Sequence, residues 1–99
     1  MGVILRRPHA ADDLVGIWLN TFDKWGEEQA DRYLDDIENT LMLLSDQPLI
    51  SAERPEFDPP VRIHHHKHHL LIYLLVDGGI EVIRVLHERM NIDNYLAER

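Results

Sequence analysis

Cysteine is missing from the 99 residues, which excludes a disulfide framework and any thiolate metal site. No stretch approaches the ~20 apolar residues of a membrane span. The opening MGVILRRPHA lacks the layout of a signal peptide, because its apolar run is short and its charges follow it. These absences lead us to expect a bacterial-type cytoplasmic protein that makes no use of a membrane. Bases are scarce where acids are dense. From Ala10 to Pro48 there are ten acids against two bases, Lys24 and Arg32; the rest of the chain balances eight against eight, for a formal net charge of −8. That balance is poor for gripping phosphates, so direct nucleic-acid binding is not expected. It favours a protein partner, and a basic one for the acidic half. A phosphate-binding loop is also lacking, since Asp77-Gly78-Gly79 has neither the helix nor the lysine of a P-loop. The acid pairs Asp12-Asp13, Glu27-Glu28 and Asp35-Asp36 read as solvated helix faces.

What is present fits one domain spanning residues 1–99. The hydrophobic fraction of 44% is that of a globular chain. A core this small makes an obligate partner or a dimer reasonable. VILRR is a short strand candidate closed by Pro8, which suits a first helical turn. Residues 10–25 repeat Leu14, Ile17, Trp18, Phe22 and Trp25 at helical spacing, and Gly26 is a natural residue to end that helix. A second helix over 27–46 carries the stripe Ala30, Tyr33, Leu34, Ile37, Leu41 and Leu44. Val15 with Leu19, and Met42 with Leu43, lie off the main stripes; they widen the core face or offer a docking surface. Residues 47–60 read as loop. VRIHHHK is the next strand. LLIYLLV, apolar on both faces, is predicted to be a central buried strand. DGG is a hairpin turn, IEVIRVLH a further strand, and NIDNYLAER a short terminal turn or helix. The predicted class is α+β: a helical hairpin on a small, mainly antiparallel sheet in the order β-α-α-β-β-β, with a short C-terminal helix.

Five of the seven histidines fall between His64 and His69. In a strand His64 and His66 share a face with Arg62, while His65 turns away with Ile63. The simplest reading is a solvated, polar hairpin. Two imidazoles on one face could also hold a metal weakly, and clustered imidazoles titrating near neutrality would make a pH-responsive surface. With no cysteine and no carboxylate close in sequence, neither a metal site nor a cofactor is called for. His87 stands apart, beside Arg84 and just before Glu88-Arg89. It reads either as a strand-end residue bonded to a loop or as a general acid or base, with Arg62 and Arg84 stabilising a pentavalent phosphate. Arg84 equally suits an ion pair to Glu81, Glu88 or a helix acid.

Several motifs carry a resemblance: A-x-x-D-L-x-x-I-W at Ala10 to Trp18, W-G-x-x-Q-A-x-x-Y at Trp25 to Tyr33, and L-x-x-x-P at Leu44 to Pro48. Val61-Arg62 follows, then H-L-L-I-Y at His69 to Tyr73 and I-R-V-L-H-E-R-M-N at Ile83 to Asn91. With the element order, these resemble the ParE branch of the ParE/RelE toxin superfamily, the plasmid-stabilisation type of toxin–antitoxin system. Two family glycines are absent, one after Pro48 and one in the turn before the His69 strand. The resemblance implies a toxin neutralised by a ParD-like antitoxin whose C-terminal segment folds on the chain. The residues expected beneath it are Val15, Trp18, Leu19, Phe22, Met42 and Leu43. It implies DNA gyrase as the target, inhibited by protein contact through Arg84, His87, Glu88, Arg89 and Met90, with no catalytic residue. The alternative drawn from RelE-like relatives is a metal-independent, ribosome-dependent messenger endonuclease using Arg62, Arg84 and His87.

Overall fold

The computed structural model describes residues 2–96. Val3–Arg6 form strand β1, Pro8–Trp25 helix α1 and Glu27–Asp46 helix α2. A 3-10 turn at Pro48–Ile50 leads to the two-residue strand β2, Glu53–Arg54. Then come β3 (Val61–His66), β4 (His69–Val76), β5 (Gly79–His87) and helix α3 (Ile92–Leu96). The five strands lie in the order β1-β5-β4-β3-β2. Only the β1–β5 pairing is parallel; the other three are antiparallel.

Local chemistry accounts for the turns. Pro8 takes the first position of α1, where an N–H has no helical partner. Gly26 separates the helices at φ +91°, with its N–H bonded to the Phe22 carbonyl at 2.8 Å. Asp77-Gly78 turns the β4–β5 hairpin, Gly78 at φ +81°. Gly79 lies so close to β1 that a Cβ there would collide with the Val3 backbone.

The core has two layers, one on each face of the sheet. Under the helices lie Leu14, Ile17, Ile37, Leu41, Leu71, Tyr73, Val82 and Val85. On the far face Val61, Ile72, Ile83 and Leu86 pack with Leu96 of α3. β4 supplies both layers from the middle of the sheet, as its continuous apolar run predicts.

Three expectations change. The predicted loop 47–60 contains the 3-10 turn and β2, a strand too short to leave a periodic signal. The apolar repeat of α1 is not all core: Trp25 is 73% exposed, and Phe22 is exposed and stacked on Trp18 with ring centroids 5.2 Å apart. The reason is length. α1 starts beside Val82, where Arg7 N–H bonds to the Val82 carbonyl at 3.0 Å. The five residues of β5 left beyond that point span about 17 Å, while the 18 residues of α1 run about 27 Å. Its last two turns therefore overhang the end of the sheet. Third, Asp13 is not on a solvated face, as described below. Of the predicted C-terminal turn or helix, residues 97–99 lie outside the described residues.

Candidate functional site

Three neighbouring features contain most of the residues singled out in the sequence; Arg62 lies outside them. The first is the outer surface of the helical hairpin. Val15, Leu19, Phe22, Met42 and Leu43 are each between 41% and 59% exposed, so they do not widen the core. Trp18 is half-buried, and its indole Nε1 donates to Asp31 at 2.8 Å, pinning α1 to α2.

The second is the free edge of β5. β1 pairs with β5 only as far as Val82. Beyond it, Asp13 of α1 takes the place of the missing strand: its carboxylate accepts the Val85 N–H at 2.9 Å and, from Arg84, Nε at 2.8 Å and Nη2 at 2.9 Å. Both side chains are only 15% exposed. The guanidinium also lies 5.0 Å from the centre of the Tyr95 ring. Of the partners open to Arg84 in the sequence, the structure selects a helix acid. Arg62 lies elsewhere. It donates to the Ser51 carbonyl at 2.6 Å and sits four residues along β3 from His66, about 13 Å away. Arg62, Arg84 and His87 are thus not gathered around one point.

The third feature is a row of imidazoles at the end of the sheet. His66 pairs in register with His69, and His69 with His87. These residues face the helices. The Tyr33 hydroxyl meets His69 Nδ1 at 2.6 Å, Thr40 Oγ1 meets His66 Nδ1 at 3.0 Å, and Ser51 Oγ meets His64 Nδ1 at 2.9 Å. The expectation of a solvated hairpin therefore holds only for His65 and His68, which are exposed and share the Glu88 carboxylate at 2.9 and 3.0 Å. His64, His66 and His69 are partly buried and tie the sheet to α2 and the 3-10 turn. Tyr33 and Thr40 of α2 and Ser51 after the 3-10 turn lie over these strand residues, which therefore meet hydroxyls instead of methyls. Among the described residues, no three histidine, aspartate or glutamate side chains converge as metal ligands would. The end of β5 is bound back on itself, with Arg89 N–H donating to His87 Nδ1 at 3.2 Å and Met90 N–H to the His87 carbonyl at 2.9 Å. Glu88, Arg89 and Met90 are exposed beyond it.

Residues 4–92 match the family described as the ParE toxin of type II toxin-antitoxin system, parDE. The chain belongs to the ParE toxin family. Toxin ParE1 of Mycobacterium tuberculosis (strain CDC 1551 / Oshkosh) is 36% identical over 93 residues, 93% of this chain and 95% of that one. Toxin ParE of Escherichia coli is 32% identical over 91 residues, 91% and 88% of the two chains. A solved structure from the chromosomal ParDE TA system of P. aeruginosa superposes with a TM-score of 0.74 over 88% of this chain and 96% of that one. Its 22% identity makes this a likeness of fold.

Within this ParE fold His64, His66 and His69 titrate abnormally. Burial holds His69 down at about 4 from an ordinary 6.5; His87, His68 and His66 add to the shift and Glu88 opposes it. Burial likewise lowers His64 and His66 and raises the Tyr33 hydroxyl. Between pH 6.5 and 4 the unfolded chain binds a proton that folded His69 refuses, so stability is complete above 6.5 and declines as pH falls through 4. Allowing for solvent screening of a part-exposed ring, His69 accounts for about 2 kcal/mol. His64 and His66 act in the same direction. Urea unfolding at pH 7 and pH 4.5 is expected to show the loss, and His69→Asn, which keeps an acceptor for Tyr33 but does not titrate, is expected to reduce it. An unaltered pH profile in that variant would show that the loss arises elsewhere. The hydroxyls of Tyr33, Thr40 and Ser51 carry no signal that would pair them with histidines 36, 26 and 13 residues away.

Proposed function

We propose that this chain is the toxin of a type II toxin–antitoxin pair and that it inhibits DNA gyrase by protein contact in the cytoplasm, acting as a single domain. The observation that carries this reading is the engagement of Arg84. A nuclease of the RelE kind would need Arg62, Arg84 and His87 around one scissile phosphate. Here Arg84 is spent on the Asp13 carboxylate and Arg62 on a backbone carbonyl two strands away. The net charge of −8 supports the same reading, because a strand of RNA would meet net repulsion. The contact surface for the target is the end of β5: His87, Glu88, Arg89 and Met90 project there, and Arg84 holds that end in place through Asp13.

We further propose neutralisation by a ParD-like antitoxin. Its C-terminal segment, disordered alone, would fold as a helix across Val15, Leu19, Phe22, Met42 and Leu43 beside Trp18. A purified translation system tests the choice between the two mechanisms. The parent, Arg84→Ala and His87→Ala chains are all expected to leave it running at the same rate. Site-specific messenger cleavage by the parent that disappears in His87→Ala would overturn the gyrase reading in favour of the nuclease.

A further inference from the structure

The overhang of α1 leaves a cavity of ≈ 360 Å³ between the end of the helical hairpin and the β3–β4 turn. Its volume is within the range of small-molecule sites. Its lining is unusual for this chain. Both of the protein's lysines, Lys24 and Lys67, reach it, although the chain has only ten bases against eighteen acids. They come from different elements, the last turn of α1 and the β3–β4 turn. Lys67 is shared with Asp36 at 2.9 Å. Lys24 has no carboxylate partner among the described residues, despite the acids around it in sequence.

The floor supplies two more donors. His69 Nδ1 is taken by the Tyr33 hydroxyl at 2.6 Å and His87 Nδ1 by the Arg89 N–H at 3.2 Å. Accepting a backbone N–H at Nδ1 leaves a singly protonated His87 ring its proton on Nε2, and with the Tyr33 hydroxyl assigned as the donor to His69 Nδ1 the same tautomer holds there. These two of the three imidazoles lining the cavity, His68 being the third, then offer an Nε2–H. The wall is aromatic. Trp25 stands at the cavity, 73% exposed. Across the cavity the imidazoles of His68 and His87 lie parallel, 8° apart in plane. One exposed indole, one unpaired ammonium, a second lysine and two imidazole N–H groups suit a planar aromatic ring carrying an anionic group.

We propose that this cavity binds a nucleoside monophosphate: the base stacks on Trp25, and Lys24 with the His69 and His87 Nε2–H groups receives the phosphate. The single unpaired lysine and the small volume favour a monophosphate over a triphosphate or a polynucleotide, whose further charges would meet Asp36 and Glu88. The site shares His87 with the end of β5 proposed to meet the target, but it rests on its own lining, and binding by the free chain tests it whatever the target is.

The test is calorimetric titration of the purified chain with adenosine monophosphate, adenosine and inorganic phosphate, with Lys24→Ala and Trp25→Ala as variants. Both side chains are exposed, and unchanged thermal melts would confirm that both variants fold. Saturable binding of the monophosphate is expected, at least tenfold weaker for adenosine and for phosphate alone. Each variant is expected to weaken it about tenfold, and raised salt to weaken the parent but not Lys24→Ala. No saturable binding at millimolar monophosphate would overturn the proposal. So would adenosine binding as tightly as its monophosphate, or affinity unchanged in both folded variants.

Discussion

Asp13→Ala is expected to destabilise the fold by about 3 kcal/mol, the largest single-residue effect away from the apolar core. Removing the carboxylate takes two charged hydrogen bonds from a guanidinium that is only 15% exposed, and breaking such a pair from one side is costly because the remaining charge loses its counter-ion. The same change leaves the Val85 N–H without an acceptor at a sheet edge that no strand covers. In a chain of 99 residues each 1 kcal/mol moves the melting temperature by roughly 4–8 °C, so a fall well above 10 °C is expected. Asp13→Asn keeps an acceptor for Val85 but loses the charge, and should fall in between. Removing both charges, as in Asp13→Leu with Arg84→Leu, should cost less than Asp13→Ala alone. A melting temperature within a few degrees of the parent for Asp13→Ala would mean that β1 and the core hold the edge of β5 unaided.

The second large effect concerns the partner. Leu19→Asp combined with Met42→Asp is expected to weaken the antitoxin complex by about 3 kcal/mol or more, over a hundredfold in Kd, since each variant places an unpaired charge under the docked segment. The free chain should be little affected, because both positions are exposed in it. Spacing constrains the partner. The Trp18–Asp31 bond puts Leu19 beside the start of α2. Met42 is eleven residues further on, about 17 Å, so a bridging helix needs at least three turns. Raising salt should not restore affinity, because the loss is one of desolvation. Binding as tight as the parent's would move the docking face to the exposed edge of β1, where Val3 and Leu5 project.

Much of this architecture is legible in the residues alone. The stripe of α2, the glycine between the helices, the DGG turn and the two-sided run of β4 follow local rules that tertiary packing did not override. The family resemblance extended that reading to the whole element order. What escaped detection depends on where one element ends relative to another. Periodicity marks Trp25 as apolar and in phase with Leu14 but cannot tell that the sheet stops short of it. Asp13 looks like its neighbour Asp12; only the shortness of β1 makes one of them a strand surrogate. Alternation puts the histidines on their correct faces, yet their burial depends on groups that come from α2 and the 3-10 turn. β2 owes its existence to pairing with Val61 and Arg62 and to no propensity of Glu53 or Arg54.

Action on gyrase by contact, and not on RNA by catalysis, is what we propose for this chain. The most direct measurement is DNA supercoiling by purified gyrase with increasing amounts of the chain, repeated after adding its antitoxin. Dose-dependent loss of supercoiling is expected, restored by the antitoxin and reduced when Arg89 and Met90 at the end of β5 are both changed to alanine. Supercoiling that is unaffected by a stoichiometric excess of folded chain would contradict it.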